Sequence, residues 1–188
     1  LPMGPSQLAL PVKEGANIIK YAVKQGINFL DTAQYYRTYP YIKEALKELT
    51  KDEKKELIIC SKSLSWDYDG MMEAVLEARE ELNRDVIDIF LMHEVRSGQL
   101  ELRADAWEAL KDAKANGLVK AIGLSTHHVD ITKAAASMED LDPEAVKRAR
   151  ELFSKRQSDR KKSQEVLKKL SDIEVLNKAG ITIKGKIT

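Results

Sequence analysis

Four short apolar runs punctuate the chain, at residues 27–30, 57–60, 86–92 and 119–124. Each is rich in Ile, Val, Leu or Phe and is bounded by charged or turn residues. Such runs predict strands buried on both faces. Between them, apolar positions recur at helical spacing. Ile18, Tyr21 and Ala22 predict one side of a helix over 14–25, and Ile42, Leu46 and Leu49 predict one over 41–49. Val75, Ala78 and Leu82 predict a third over 71–82, and Trp107, Leu110 and Lys111 a fourth over 104–115. Gly26 and the pair Asn116-Gly117 stop two of these helices, as residues just past a helix end do.

Strand alternating with helix is the signature of a parallel sheet. The residues at the ends of the four runs are Asp31, Lys62, His93 and Ser125, separated by 31, 31 and 32 positions. An eight-unit barrel of about 250 residues has about 31 residues per unit. An open doubly wound sheet has similar units at less regular spacing. The spacing therefore predicts an α/β fold of the (β/α)8 TIM type.

In such a barrel all strand carboxyl ends share one rim, where active sites lie. Asp31, Lys62 and His93 would converge there, with Tyr36 in the loop after Asp31. A phenol rarely yields its proton near neutrality, and a nearby ammonium favours the phenolate. A carboxylate would hold that ammonium, and an imidazole would orient a carbonyl. The set makes a general acid for protonating an oxyanion, as carbonyl reduction requires. Trp66, in the loop after Lys62, is a candidate substrate contact. Taken singly, each residue has a structural alternative: a turn cap, a solvated lysine, a core histidine, a packing aromatic. None of these alternatives predicts equal spacing. His127 and His128 read as structural or solvent-facing, Cys60 as a buried apolar residue and Trp107 as packing.

Composition narrows the classes. With 188 residues and 43% hydrophobic content the chain is long enough for one good core. No apolar run approaches a membrane span, and mean hydropathy is −0.40. One cysteine excludes a disulfide framework and fits a reducing, cytoplasmic compartment. No zinc pattern joins the three histidines, so no metal is expected. Charged residues reach 32%, a composition resembling that of thermophiles. Net charge is +1, so nucleic acid is not an expected partner. Residues 141–188 nevertheless carry 13 Lys+Arg against 7 Asp+Glu, which marks a basic tail after an acidic body at 1–140. Residue 1 is Leu with no charged-then-apolar leader behind it, and the natural beginning is expected to lie upstream.

The stretch from Gly26 through Asp31-Thr-Ala-Gln-Tyr-Tyr36 resembles the aldo-keto reductase signature. Ser61-Lys62, Leu91-Met-His93 and Ala121-Ile-Gly-Leu-Ser125 resemble three further strand-end motifs of that family, in order and register. His93-Glu94-Val95 and Ser125-Thr126-His127-His128 are similar to a bacterial and archaeal branch that often ends in a ferredoxin-like domain. The resemblance covers residues 1–140. It implies an NADPH-dependent reductase of small aldehyde or ketone substrates. Tyr36 would be the acid, Lys62 and Asp31 its tuning pair, and His93 the substrate orienter. Ser125 would contact the nicotinamide amide, beside Thr126, where many members have Asn. Met3-Gly4 would end the first barrel strand.

Past residue 140 no family motif follows, so about five of eight units are recognisable. The tail predicts helix over 142–177 and a short strand at 180–185. No cysteine follows Cys60, so no iron–sulfur cluster is expected in this chain. Three explanations stay open: a chain with residues omitted, a fragment, or a tail that closes the sheet differently. A half-barrel exposes sheet edges and an apolar face, which favours self-association. The alternative function is a non-enzymatic binding or regulatory protein on the same scaffold, as in potassium-channel β-subunits.

Overall fold

The computed structural model describes residues 1–137, all within one compact unit, Leu1–Glu139. Four parallel strands pair in chain order: β1 (Phe29–Asp31), β2 (Ile58–Ser63), β3 (Ile87–Met92) and β4 (Val119–Leu124). Asp31 pairs with Cys60, Lys62 with Leu91, and Leu91 with Gly123. Sequential order is that of consecutive barrel units, whereas a doubly wound sheet reverses its order. The basic tail, with its expected helices and its strand at 180–185, lies outside the described residues.

Among the described residues six α-helices accompany the strands: α1 (Val12–Lys24), α2 (Tyr39–Glu48), α3 (Lys51–Glu56), α4 (Tyr68–Leu82), α5 (Ala104–Ala115) and α6 (Val129–Ala135). Phe90 and Met92 of β3 are fully buried, together with Val75, Ala78 and Leu82 of α4 and Leu110 of α5. Trp107 is buried as packing, and Cys60 is a buried free thiol. Asp67 caps α4 by accepting from the Gly70 N–H at 2.8 Å, so that helix starts three residues before the apolar pattern does.

Three expectations are corrected, and one helix is additional. The buried residues of α1 are Gly15, Ala16 and Ile19, while Ile18 and Tyr21 are exposed. Gly15 is the reason: a Cβ there would lie 2.3 Å from the Tyr41 ring, so only glycine lets α2 pack this closely. The first strand is not buried on both faces, because β1 is the edge of the described sheet and leaves Ile27 and Phe29 exposed. Met3-Gly4 ends no strand: the segment forms turns, and Pro2 and Pro5 have no N–H to offer a ladder. Finally, α3 has no apolar face and was not expected. It is started by a capping box, in which Thr50 N–H donates to Glu53 Oε2 at 2.7 Å and Glu53 N–H to Thr50 Oγ1 at 3.2 Å.

At the end where the strands begin, Asp88 of β3 is buried and fully partnered. It accepts from Ile59 N–H and Arg84 Nη2, both at 2.9 Å, and from Lys120 Nζ at 2.7 Å. Arg84 also donates to the Lys54 and Leu57 carbonyls, both at 3.1 Å.

Candidate active site

The opposite end gathers the residues singled out by spacing. Asp31 closes β1, Lys62 is the penultimate residue of β2, and His93 and Ser125 directly follow β3 and β4. Lys62 is held as a fixed charge: Nζ donates to Asp31 Oδ1 at 2.8 Å and to the Thr32 carbonyl at 2.7 Å. The lysine side chain is 7% exposed and its partner Asp31 53%. The ion pair therefore opens to solvent on the carboxylate side only.

Tyr36 ends a short 3-10 turn, Gln34–Tyr36, and Arg37 behind it has φ +52. A hydrogen bond between the Thr32 and Thr38 hydroxyls draws the two ends of this loop together. Ser63 Oγ donates to Gln34 Oε1 at 2.8 Å, tying the loop to β2. The Tyr36 hydroxyl lies 3.3 Å from His93 Nε2. The two rings meet edge to face with centroids 5.3 Å apart, and Lys62 Nζ lies 5.3 Å from the Tyr36 ring centroid. Phenol, ammonium, carboxylate and imidazole thus form one continuous cluster.

Burial pushes the His93 pKa below its ordinary 6.5, and the Lys62 charge pushes the same way, against Glu94 and Asp31. The ring is neutral at neutral pH, with one N–H donor and one acceptor nitrogen. Its Nδ1 is buried without a hydrogen-bond partner among the described residues. Glu94, next in the chain, has φ +50, a conformation that side chains adopt sparingly and that gathers at functional sites.

Ser125 holds that turn. Its Oγ accepts from the Glu94 N–H at 2.9 Å, and its carbonyl accepts from the Val95 N–H at 2.8 Å. The Thr126 hydroxyl donates to the Val95 carbonyl at 2.6 Å and accepts from the His128 N–H at 2.9 Å. Among the described residues Ser125 Oγ only accepts, whereas the Thr126 hydroxyl ties its loop to Val95 through one bond and closes the turn to His128 through the other.

A cleft of about 370 Å³ opens beside this cluster, between the turn carrying Pro2, Gly4 and Gln7 and the residues Asp31, Tyr35 and Tyr36. Trp66 is 47% exposed and stands elsewhere on the rim, with its ring face over the Arg103 guanidinium. Spacing did not single out Arg103 or Gln34, since a lone polar residue in a loop has no periodic signal. His127 is exposed, and His128 Nδ1 lies 3.1 Å from Ser97 Oγ. Burial raises the Cys60 thiol to about 11, which leaves it an unreactive packing group. Among the described residues no group of His, Cys, Asp or Glu could hold a metal ion.

The model of the aldo/keto reductase family matches residues 4–183. Methylglyoxal reductase DkgA of Escherichia coli K12 is 30% identical over 131 residues, covering 65% of this chain and 47% of that protein. Glyoxal reductase of Bacillus subtilis is 30% identical over 122 residues, covering 62% and 43%. The crystal structure of a Gox0644 variant in complex with NADPH is similar with a TM-score of 0.57 and 28% identity, over 66% of this chain and 45% of that one. The chain spans about half the length of the curated relatives it matches. The described elements are four successive units of a (β/α)8 barrel.

Proposed function

The chain belongs to the aldo/keto reductase family, and on that premise we propose that it reduces small aldehydes and ketones with NADPH, using Tyr36 as proton donor. The observation that carries the proposal is the contact of the Tyr36 hydroxyl with neutral His93 beside the fixed Lys62–Asp31 pair. NADPH, when bound, supplies the hydride. Tyr36 O–H stands ready to protonate the carbonyl oxygen as negative charge grows there. Neutral His93 directs that oxygen by hydrogen bonding through Nε2. Lys62, anchored by Asp31 and the Thr32 carbonyl, holds its ammonium beside the phenol ring. Ser125 donates to the nicotinamide carboxamide, with Thr126 fixing the loop beside it. Trp66, over Arg103 and outside the lining of the cleft, contacts only the part of a substrate that reaches along the rim.

Methylglyoxal reductase and glyoxal reductase among the relatives make small 2-oxoaldehydes the first substrates to try. The same proposal takes 1–140 as barrel portion and 141–188 as a separate basic segment, and places the protein in the cytoplasm. No described helix is long and apolar enough to cross a membrane. Self-association is part of the same proposal, supported by β1 lying at the edge of the described sheet. The test follows NADPH absorbance with the purified full chain and methylglyoxal. Aldehyde-dependent oxidation, faster with NADPH than with NADH, is expected. A folded protein with no aldehyde-dependent oxidation of either cofactor would overturn the proposal.

A further inference from the structure

Arg103 is the largest fully buried side chain among the described residues, at 1% exposure. It ends the 3-10 turn Glu101–Arg103 that leads into α5. A buried guanidinium needs its charge and its five donors met. Among the described residues no carboxylate pairs with it. Instead Nη1 donates to the His93 carbonyl at 2.9 Å, and Nη2 to the Ser63 carbonyl at 3.2 Å. Nε and Nη2 both donate to the Ser65 carbonyl, at 3.2 and 3.0 Å. The Trp66 ring covers the guanidinium, with its centroid 5.7 Å from Cζ.

These three carbonyls lie where β2 and β3 part. His93 N–H also donates to the Ser63 carbonyl at 2.8 Å, the last rung between the two strands. Each carbonyl belongs to a site residue or to its chain neighbour: Ser63 follows Lys62, Ser65 precedes Trp66, and the third is that of His93. An apolar side chain of similar volume would avoid the desolvation cost of a buried cation. It could not gather carbonyls from two loops onto one planar fork.

We propose that Arg103 is a positioning residue of the reductase site, clamping the ends of β2 and β3 so that the His93 ring meets Tyr36 and the Trp66 indole is held at the rim. The proposal rests on the reductase reading above. A displacement of about 1 Å at a reacting group costs up to about 10²-fold in rate.

The experiment compares R103M and R103K with wild type in the full chain. Unfolding midpoint, kcat and KM with methylglyoxal and NADPH, and the Trp66 indole N–H resonance (assigned by its loss in W66F) are measured. In R103M kcat falls by about 10-fold or more, KM for NADPH moves less than about twofold, and the Trp66 resonance shifts. R103K restores the charge without the fork and recovers less than half of the lost rate. Folded R103M with kcat within about twofold of wild type would overturn the proposal. If R103M does not fold, R103K decides alone at matched folded fraction: a reduced kcat supports the clamp, and a wild-type kcat overturns it. If wild type reduces no carbonyl, the reductase reading fails and the clamp is decided by the resonances. Shifted Trp66 and His93 ring signals in R103K support it, and unmoved signals overturn it.

Discussion

A carboxylate paired with a lysine occurs at both ends of the sheet, in two different settings. At the end where the strands begin, Asp88 is 9% exposed and both of its oxygens are taken, by Lys120, Arg84 and the Ile59 N–H. At the rim, Asp31 is 53% exposed and its bond to Lys62 is flanked by groups with capacity left over. Among the described residues His93 has a buried ring nitrogen without a hydrogen-bond partner, and the Tyr36 hydroxyl makes one contact, at 3.3 Å. Residues with positive φ follow both Tyr36 and His93. A saturated cluster fixes the fold and has nothing left to give a ligand. The open cluster fixes its charges while leaving donors and acceptors for a reacting molecule.

The saturated end is the place to expect the largest loss of stability. Asp88→Ala strands the Ile59 N–H and removes the charge facing Arg84 and Lys120. A loss of about 3 kcal/mol is expected, with kcat per folded molecule unchanged; urea unfolding and assay of the same sample check both. Burial raises the Asp88 pKa, but Lys120, the Ile59 N–H and Arg84 together outweigh it and hold the carboxyl below its ordinary 3.8. The stability it contributes is therefore present above that value and lost as pH falls through the lower folded value. Unfolding free energy measured down through this range should fall more steeply in wild type than in Asp88→Asn.

A smaller effect separates packing from both clusters. Gly15→Ala places a methyl group against Tyr41 and should cost about 1–3 kcal/mol without altering turnover. The smallest effect on stability is at the rim. The His93 ring should titrate below 6.5 by NMR, and its midpoint should rise in Lys62→Met, where a charge that lowers it is gone. Because its folded pKa is depressed, stability linked to His93 is present above 6.5 and lost as pH falls through the folded value. A midpoint at or above 6.5 would contradict the neutral imidazole on which the rim chemistry depends.

These two ends were not equally legible. The rim was readable because each strand delivers one polar residue at a near-constant interval: Asp31, Lys62 and His93 do meet, and Tyr36 joins them. Asp88 was hidden within an apolar run that reads as strand alone. Gly15 and Ala16 define the buried side of α1, yet small residues weigh little in an apolar pattern beside Ile18 and Tyr21. The helix α3 has no apolar stripe, although Thr50 and Glu53 three positions on carry a start signal. Arg103 has no local signal, because its partners come from loops 38 and 10 residues away.

The division between a stabilising end and a reacting end is tested most directly by Tyr36→Phe, which removes a single rim oxygen. Turnover of methylglyoxal with NADPH and the unfolding midpoint are measured on the same preparation. The account predicts that kcat falls by about 10²-fold or more while the midpoint stays at its wild-type value. A variant that turns over at the wild-type rate, or one that loses rate only in proportion to lost folded protein, would contradict it.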